Sequence, residues 1–190
     1  MKKVIIIGAT GSLAKFVIEA LQTMPDVQLT LFVRDKTKLD KESIGKAAVI
    51  EGDVLNYADL EAALSGQDIV YENLAGDLET MTENIVKAMK ENGVKRIIAI
   101  SAIGIYEVPL KPVLVPYRKL ADVIEASKLD YTILRPDWFT YGNEVEYGVT
   151  KKGEPEKGTA ISRKSIADFV ARLIENPDTY IGENLGISKI

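Results

Sequence analysis

The stretch IIIGATGSLAKFV, residues 5–17, decides the fold. A run of three isoleucines ends at Gly8, and apolar residues then recur at Leu13, Phe16 and Val17 with the spacing of a helix face. A continuous β-branched run that stops at a glycine is typical of a strand that is buried on both of its faces. The stretch therefore predicts a buried strand that passes through a glycine turn directly into a helix.

The same alternation of apolar runs and helical patterns continues along the chain. The apolar runs predict strands over residues 3–7, 27–33, 47–50, 68–71, 96–100 and 131–134. The helical patterns predict helices over residues 13–24, 59–64, 80–92, 117–127 and 164–175. Strands that alternate with helices predict βαβ units and a parallel sheet. We expect one α/β domain over residues 1–190, a doubly wound parallel sheet with helices on both faces.

The last third of the chain predicts three smaller features. VEYGVT and GTAIS, residues 145–150 and 158–162, read as the strands of an exposed hairpin around the turn KKGEPEKG. Ser162 is expected to cap the helix that follows it. The closing NLGISKI, residues 184–190, is expected to add an edge strand.

Composition excludes several classes of chemistry. The 190 residues include no cysteine and no histidine. Disulfides, thiol nucleophiles, the usual zinc sites and Ser-His-Asp catalysis are therefore excluded, and proton transfer must use Tyr, Lys, Asp or Glu. The net charge of -4 disfavours a nucleic-acid partner. The first apolar run is too short for a signal or a membrane span, so we expect a cytoplasmic protein with no membrane partner.

The glycine turn predicts a dinucleotide site. Gly8 ends the strand, Gly11 opens the helix, and Ala14 stands where a third glycine is usual. Glycines let backbone N–H groups approach a pyrophosphate, and the helix N-terminus adds partial positive charge. Alanine is tolerated at the last position because that residue serves close packing of helix against strand.

The end of the second predicted strand bears on which dinucleotide binds. Arg34 follows the run LTLFV, where sheets of this kind meet the adenosine ribose. A guanidinium suits the 2'-phosphate of NADP, whereas an acidic residue suits the 2'-hydroxyl of NAD. Arg34 favours NADP, with Lys36 and Lys38 as further phosphate partners or as a solvated loop. Asp35 leaves NAD open.

Six segments together resemble the atypical short-chain dehydrogenase/reductases. They are GATGSLAK, VRDKTKL, EGDVLNYADLEAAL, NLAG, VKRIIAISAIGIY and LDYTILRPDWFT. The chain looks closest to the NmrA-like and biliverdin-reductase-B-like single-domain NAD(P)H-binding proteins, which have a Rossmann fold. The resemblance implies a pyrophosphate site at Gly8, Thr10, Gly11, Ser12 and Leu13, and it places Arg34 at the ribose phosphate. It also implies that Asp53 and Val54 lie by the adenine, that Leu74, Ala75 and Gly76 form the floor, and that Ser101 and Pro136 lie beside the nicotinamide.

Catalytic residues are harder to assign. Short-chain reductases use a tyrosine and a lysine four residues later, because those positions share one face of a helix. Ala121 stands four residues after Tyr117, and Lys119 points about 200° around the helix. Tyr117 and Ser101 are the candidate catalytic residues, with Tyr117 expected to pack or to touch ribose rather than to donate a proton. Tyr106 is a further hydroxyl, in the loop that leaves the sheet.

Three functions remain open from the sequence. One is NADPH-dependent reduction of a small planar acceptor such as a flavin or quinone, which needs little help with protons. Trp138, Phe139, Tyr141 and Tyr147 would then cluster at the mouth of the site and stack on the acceptor, or would instead pack in the core. The second is an oxidoreductase, epimerase or dehydratase acting on a small metabolite, and the third is a nucleotide-sensing protein without turnover. We expect a monomer or a homodimer.

Overall fold

The computed structural model describes residues 1–190, except for the side chain of Lys41. One eight-stranded sheet has the order β3-β2-β1-β4-β5-β6-β10-β8. Its strands are β1 (Lys2–Ile7), β2 (Val27–Val33), β3 (Ala48–Glu51), β4 (Ile69–Glu72), β5 (Arg96–Ile100), β6 (Asp130–Pro136), β8 (Gly148–Lys151) and β10 (Glu183–Ser188). The pairs are parallel except for β8 with β10. Two short strands, β7 (Phe139–Thr140) and β9 (Ile161–Ser162), pair separately.

Helices cover both faces of this sheet. They are α1 (Ser12–Gln22), α2 (Lys41–Ile44), α3 (Tyr57–Leu64), α4 (Leu78–Glu91), α5 (Val115–Ala126) and α6 (Arg163–Glu175). Alternate residues of β1 face the two sides: Val4 and Ile6 pack in the core beneath α1 and α6, and Ile5 and Ile7 pack beneath α3, α4 and α5. The doubly wound Rossmann fold predicted from the alternation is confirmed.

The predicted elements of the main sheet and its covering helices are confirmed to within two residues at each end. The predicted cap is also confirmed, because Ser162 Oγ accepts a hydrogen bond from Ser165 N at 3.0 Å. These elements have strong local signals: buried β-branched runs, helical spacing of apolar residues, and a serine before a helix.

Two predictions in the last third of the chain are wrong. The segments 145–150 and 158–162 do not form a hairpin, because β8 pairs with β10 and β9 pairs with β7. The closing segment is not an edge strand, since β10 lies between β6 and β8 and buries Leu185 and Ile187. Strand periodicity indicates a strand but does not choose its partner, and these partners are distant in sequence.

The strand order places a ligand site. The sheet runs outward from β1 in both directions, to β2 on one side and to β4 on the other. Open α/β sheets bind ligands at the carboxyl ends of the strands where the order reverses in this way. In the part of the chain that the structure describes, no helix is long and apolar enough to cross a membrane.

Candidate functional site

A groove of about 640 Å³ lies at the carboxyl ends of β1, β2 and β4. It is lined by most of the residues that the resemblance implied: Gly8, Thr10, Gly11, Ser12, Leu13, Arg34, Asp53, Val54, Leu74 and Ala75. Tyr117 and Phe139 complete its wall at the other end. We call residues 8–13 with Arg34 the turn end of the groove. We call Tyr117, Ser101, whose hydroxyl bonds to it, and Trp138, which precedes Phe139 in the chain, the Tyr117 end.

The turn end depends on Gly8. Its φ is +91°, and a Cβ atom placed there would lie 2.1 Å from the carbonyl oxygen of Asn73. Gly11 differs, with a φ of -69° and a hypothetical Cβ 3.3 Å from Gly8 O. Gly11 N donates to Gly8 O at 3.0 Å, which closes the turn. Gly8 is therefore required by backbone geometry, whereas Gly11 keeps the groove side of the turn free of a side chain.

The N-terminus of α1 points into the turn end, and no side chain caps its first backbone N–H groups. Gly11 is the N-cap and provides no side-chain hydrogen bond, and the first turn has no acidic residue. The first N–H groups of a helix lack partners within the helix and carry partial positive charge. The groove therefore offers an anion site made of backbone.

Arg34 and Asp35 both line the groove, but their side chains differ in availability. Asp35 Oδ1 accepts hydrogen bonds from Thr37 N at 2.9 Å and from Thr37 Oγ1 at 2.5 Å, and the Thr37 hydroxyl is the main cause of the lowered pKa of Asp35. Arg34 is exposed and makes no salt bridge with any side chain that the structure describes. Lys38 also lines the groove and lies 4.0 Å from Asp35 Oδ2, and Lys36 pairs with Glu51 at 3.3 Å. The guanidinium is thus free for a ligand, and the carboxylate is engaged locally.

The middle of the groove contains the other predicted contacts. Asp53 Oδ1 accepts from Leu55 N at 2.9 Å, so this carboxylate also holds its own turn. Val54 is buried beside it. Gly76 is absent from the groove wall among the described residues; its φ of +111° shapes the turn before Asp77, which caps α4.

Ser101 and Pro136 were predicted to lie at the site, but neither lines the groove in the part of the chain that the structure describes. Ser101 is buried, and its Oγ donates to the carbonyl oxygen of Tyr117 at 3.0 Å. Pro136 is also buried, and its carbonyl oxygen accepts from Ile103 N at 3.0 Å. Ser101 therefore braces the backbone of Tyr117, and Pro136 ties the end of β6 to the loop after β5.

Tyr117 stands at the groove, and none of the lysine side chains that the structure describes pairs with it. Lys119 turns to α4 and forms an ion pair with Glu79. Ala121, at the position that a lysine would need, is fully buried. The geometry confirms that Lys119 lies on another face of the helix and does not act on Tyr117.

Tyr106 does not line the groove. Its hydroxyl donates to Glu125 Oε1 at 3.0 Å and accepts from Asn184 Nδ2 at 2.7 Å. Burial and the nearby Glu125 raise the pKa of this phenol. Tyr106 therefore ties the loop after β5 to α5 and β10.

The predicted aromatic cluster divides into separate groups. Tyr147 packs on Phe169 with ring centroids 5.3 Å apart and donates to Asp168 Oδ2 at 2.7 Å, which places it beside α6 and away from the groove. Phe139 lines the groove, and Trp138 is 84% exposed beside it. Tyr141 is also exposed and lies against Phe16. The prediction of a single cluster is wrong because Tyr147 packs against α6, whereas Phe139 lines the groove.

The structure adds Glu72 and Arg163, which the sequence did not single out. Glu72 is fully buried at the end of β4, beneath the groove, and burial raises its pKa to about 7 although Thr82 Oγ1 donates to it at 2.7 Å. Arg163 is buried at the start of α6 and contacts Ser12. The sequence offered two signals for these residues: a charged residue at the end of an otherwise apolar strand, and an arginine in the first turn of a helix.

A second cavity of about 850 Å³ runs along α1 and α6 and is lined by residues such as Phe16, Met24 and Tyr180. It contains neither the glycine turn nor any end of a parallel strand. We therefore assign the functional site to the smaller groove, where the fold supplies backbone donors.

The fold and groove together define a nucleotide-binding Rossmann protein, and comparison with known proteins gives its family. Residues 8–177 match a family model described as NAD(P)H-binding. The chain belongs to this NAD(P)H-binding family.

Three related proteins agree with this assignment. A Rossmann-fold NAD(P)-binding family protein from Shigella flexneri is 45% identical with a TM-score of 0.91, covering 100% of this chain and 94% of that one. A short-chain dehydrogenase/reductase from Veillonella parvula, solved in complex with NADP, is 25% identical with a TM-score of 0.89, covering 99% and 94%. An uncharacterized sugar epimerase from Bacillus subtilis is 27% identical, covering 93% and 90%. The resemblance to short-chain dehydrogenase/reductases and the expectation of an NAD(P)H-binding family are confirmed, while the NmrA-like branch stays a prediction.

Proposed function

We propose that this protein is an NADPH-dependent oxidoreductase that reduces a small planar acceptor such as a flavin or a quinone. The observation that carries the proposal is the Tyr117 end of the groove. Lys119 pairs with Glu79, Ala121 occupies the usual lysine position, and Ser101 donates its proton to a backbone carbonyl. Reduction of an ordinary ketone needs a positioned donor for the developing alkoxide. A flavin or quinone accepts hydride with less help, and its proton can come from water.

The turn end supports a dinucleotide with a 2'-phosphate. Under this proposal the N–H groups at Gly11, Ser12 and Leu13 face the pyrophosphate at the start of α1. Arg34 is free to form a bidentate pair with the 2'-phosphate, and Lys38 adds charge beside it. Asp35 is engaged with Thr37, which argues against its serving a ribose hydroxyl.

The remaining groove residues have roles that follow from their positions. Asp53 and Val54 lie where the adenine would sit, beyond Arg34 from the turn. Leu74 and Ala75 follow β4 and would form the floor under the riboses. Tyr117 and Phe139 would then flank the nicotinamide. The balanced reaction is transfer of a hydride from NADPH and a proton from water to the acceptor, which gives NADP⁺ and the two-electron-reduced acceptor.

Trp138 is suited to hold the acceptor. Its backbone is fixed on both sides, since Trp138 N donates to Asp137 Oδ1 at 2.7 Å and its carbonyl oxygen accepts from Ile161 N at 2.9 Å. Trp138 is 84% exposed and directly precedes Phe139, which lines the groove. A rigid backbone that presents an exposed aromatic ring provides a stacking surface for a planar molecule.

The test is NADPH oxidation, followed by absorbance, with FMN, riboflavin and quinones as one panel and simple ketones as the other. We expect turnover with at least one planar acceptor and none with the ketones. Tight binding of NADPH without oxidation by any acceptor would contradict the proposal and favour a nucleotide-sensing role.

A second candidate function has one observation in its favour, the likeness to a protein named as a sugar epimerase. An epimerase or dehydratase of this kind would use its cofactor catalytically and would leave the NADPH concentration unchanged. Conversion of a sugar substrate with a trace of NAD or NADP would support this candidate over the first.

A further inference from the structure

Arg163 is a buried cation with no counter-charge among the described side chains. It is 8% exposed and occupies the first position of α6, directly after the Ser162 cap. A positive charge there is opposed by the dipole of its own helix. A buried charge that lacks an opposite charge is costly, and Arg163 forms no salt bridge in the described part of the chain. Its position therefore suggests a negatively charged partner that comes from outside the chain.

The guanidinium is directed at the glycine turn. Its Nε and Nη2 each lie 3.3 Å from Ser12 Oγ, and its Nη1 donates to the carbonyl oxygen of Thr140 at 3.0 Å. Its Cζ lies 4.0 Å from the ring centroid of Tyr141 and 5.3 Å from that of Phe139. The aromatic contacts and the Thr140 contact hold the guanidinium in place against the start of α1.

Ser12 connects this cation with the groove. Ser12 is exposed, lines the groove and is the first residue of α1. A serine hydroxyl has one proton to donate and lone pairs that accept. Because both contacts from Arg163 use Ser12 Oγ as the acceptor, the hydroxyl proton is left for another acceptor on the open side of the turn.

We propose that Arg163 is a positioning residue for the dinucleotide pyrophosphate. It orients the Ser12 hydroxyl toward a phosphate oxygen and places a fixed positive charge behind the anion site at the N-terminus of α1. The proposal rests on the proposed cofactor site and deepens it, since the last helix of the domain then completes a site that otherwise consists of the first turn. Arg34 and Arg163 have different partners: the 2'-phosphate for Arg34, and the pyrophosphate common to NADPH and NADH for Arg163.

The test compares the dissociation constants of NADPH and NADH for wild type, Arg163→Met, Arg163→Lys and Ser12→Ala. Loss of a charge-assisted contact predicts that Arg163→Met weakens both cofactors equally, by about 10- to 100-fold. Arg163→Lys should recover part of this loss because the charge remains. Arg172→Met is the matched control, since Arg172 is an exposed arginine of the same helix that pairs with Asp168 at 2.8 Å; it should bind both cofactors within about twofold of wild type.

Thermal unfolding shows which variants are folded. Should Arg163→Met not fold, Ser12→Ala remains decisive, because Ser12 is exposed and we expect it to weaken NADPH and NADH equally, by about three- to tenfold. In the double variant, Ser12→Ala should add less to the loss than it does alone, since Arg163 acts through Ser12.

Folded Arg163→Met with wild-type affinity for both cofactors would overturn the proposal, as would a loss confined to NADPH. Unchanged affinity in Ser12→Ala would also overturn it. A different result contradicts the proposed enzymatic function. It is wild-type protein that binds both cofactors but does not oxidise NADPH with any acceptor tested, and that result would leave the affinity comparison intact.

Discussion

The two ends of the groove are built in different ways. The turn end consists of contiguous residues, 8–13, and offers backbone N–H groups whose direction is set by the positive φ of Gly8 and by the start of α1. The Tyr117 end gathers Ser101, Tyr117 and Trp138 from three separate parts of the chain. There the hydroxyl of Ser101 holds the backbone of α5, and the indole of Trp138 is exposed.

The two ends differ in which hydrogen-bonding groups are left available for a ligand. Backbone donors at the turn end have no competing side-chain partner, so the fold itself prepares an anion site. At the Tyr117 end the Ser101 hydroxyl is already engaged, because it donates to the backbone carbonyl of Tyr117. The fold therefore specifies the turn end, whereas the Tyr117 end presents Tyr117 and Phe139 and lacks the usual tyrosine–lysine pair.

The largest expected effect is at the turn end. Gly8→Ala would strain a φ of +91° and push a methyl group against Asn73, so we expect NADPH affinity to fall by more than about 100-fold. Gly153→Ala is the control, with a φ of +92° and no atom within 4 Å of the added Cβ. Titration of NADPH into both variants shows whether the loss is specific to the turn, and similar affinities in the two would show that the turn is not the binding site.

Arg34→Ala should have the next largest effect. Removing a free guanidinium should weaken NADPH by about 10- to 100-fold and leave NADH within about twofold. Lys36→Ala, which removes an exposed neighbour already paired with Glu51, should change neither cofactor. Equal weakening of NADPH and NADH by Arg34→Ala would place the 2'-phosphate elsewhere.

Trp138→Ala probes the opposite end. Loss of one stacking surface should raise the KM for FMN by about three- to tenfold, with the NADPH dissociation constant unchanged. Trp138 is the single tryptophan of the chain, so FMN binding to wild type should quench the intrinsic tryptophan fluorescence. Val145→Ala, at an exposed residue of the second cavity, is the control. An unchanged KM in Trp138→Ala would remove the indole from the acceptor site.

The sequence predicted the turn end well because its signals are local. Gly8 and Gly11 stand between a buried apolar run and a helical pattern, and that order defines the turn without knowledge of distant residues. Arg34 follows the next strand in the same way. The main sheet and its helices were predicted for the same reason.

The other features depend on contacts between distant residues. Ser101 reaches the carbonyl of Tyr117, 16 residues away, and Arg163 reaches Ser12 across 151 residues. Neither contact follows from periodicity, and the same limit explains why β8 and β9 were paired with the wrong partners. An arginine in the first turn of α6 was a usable clue, because a cation is unfavourable at that end of a helix.

The smallest expected effect tests the contrast between the two ends most directly. Steady-state oxidation of NADPH by FMN should be measured for wild type and Tyr117→Phe. If the Tyr117 end supplies a surface and not a proton, kcat of Tyr117→Phe stays within about threefold of wild type. A fall in kcat of about 100-fold or more would show that the Tyr117 hydroxyl donates a proton in the reaction, and would contradict the account.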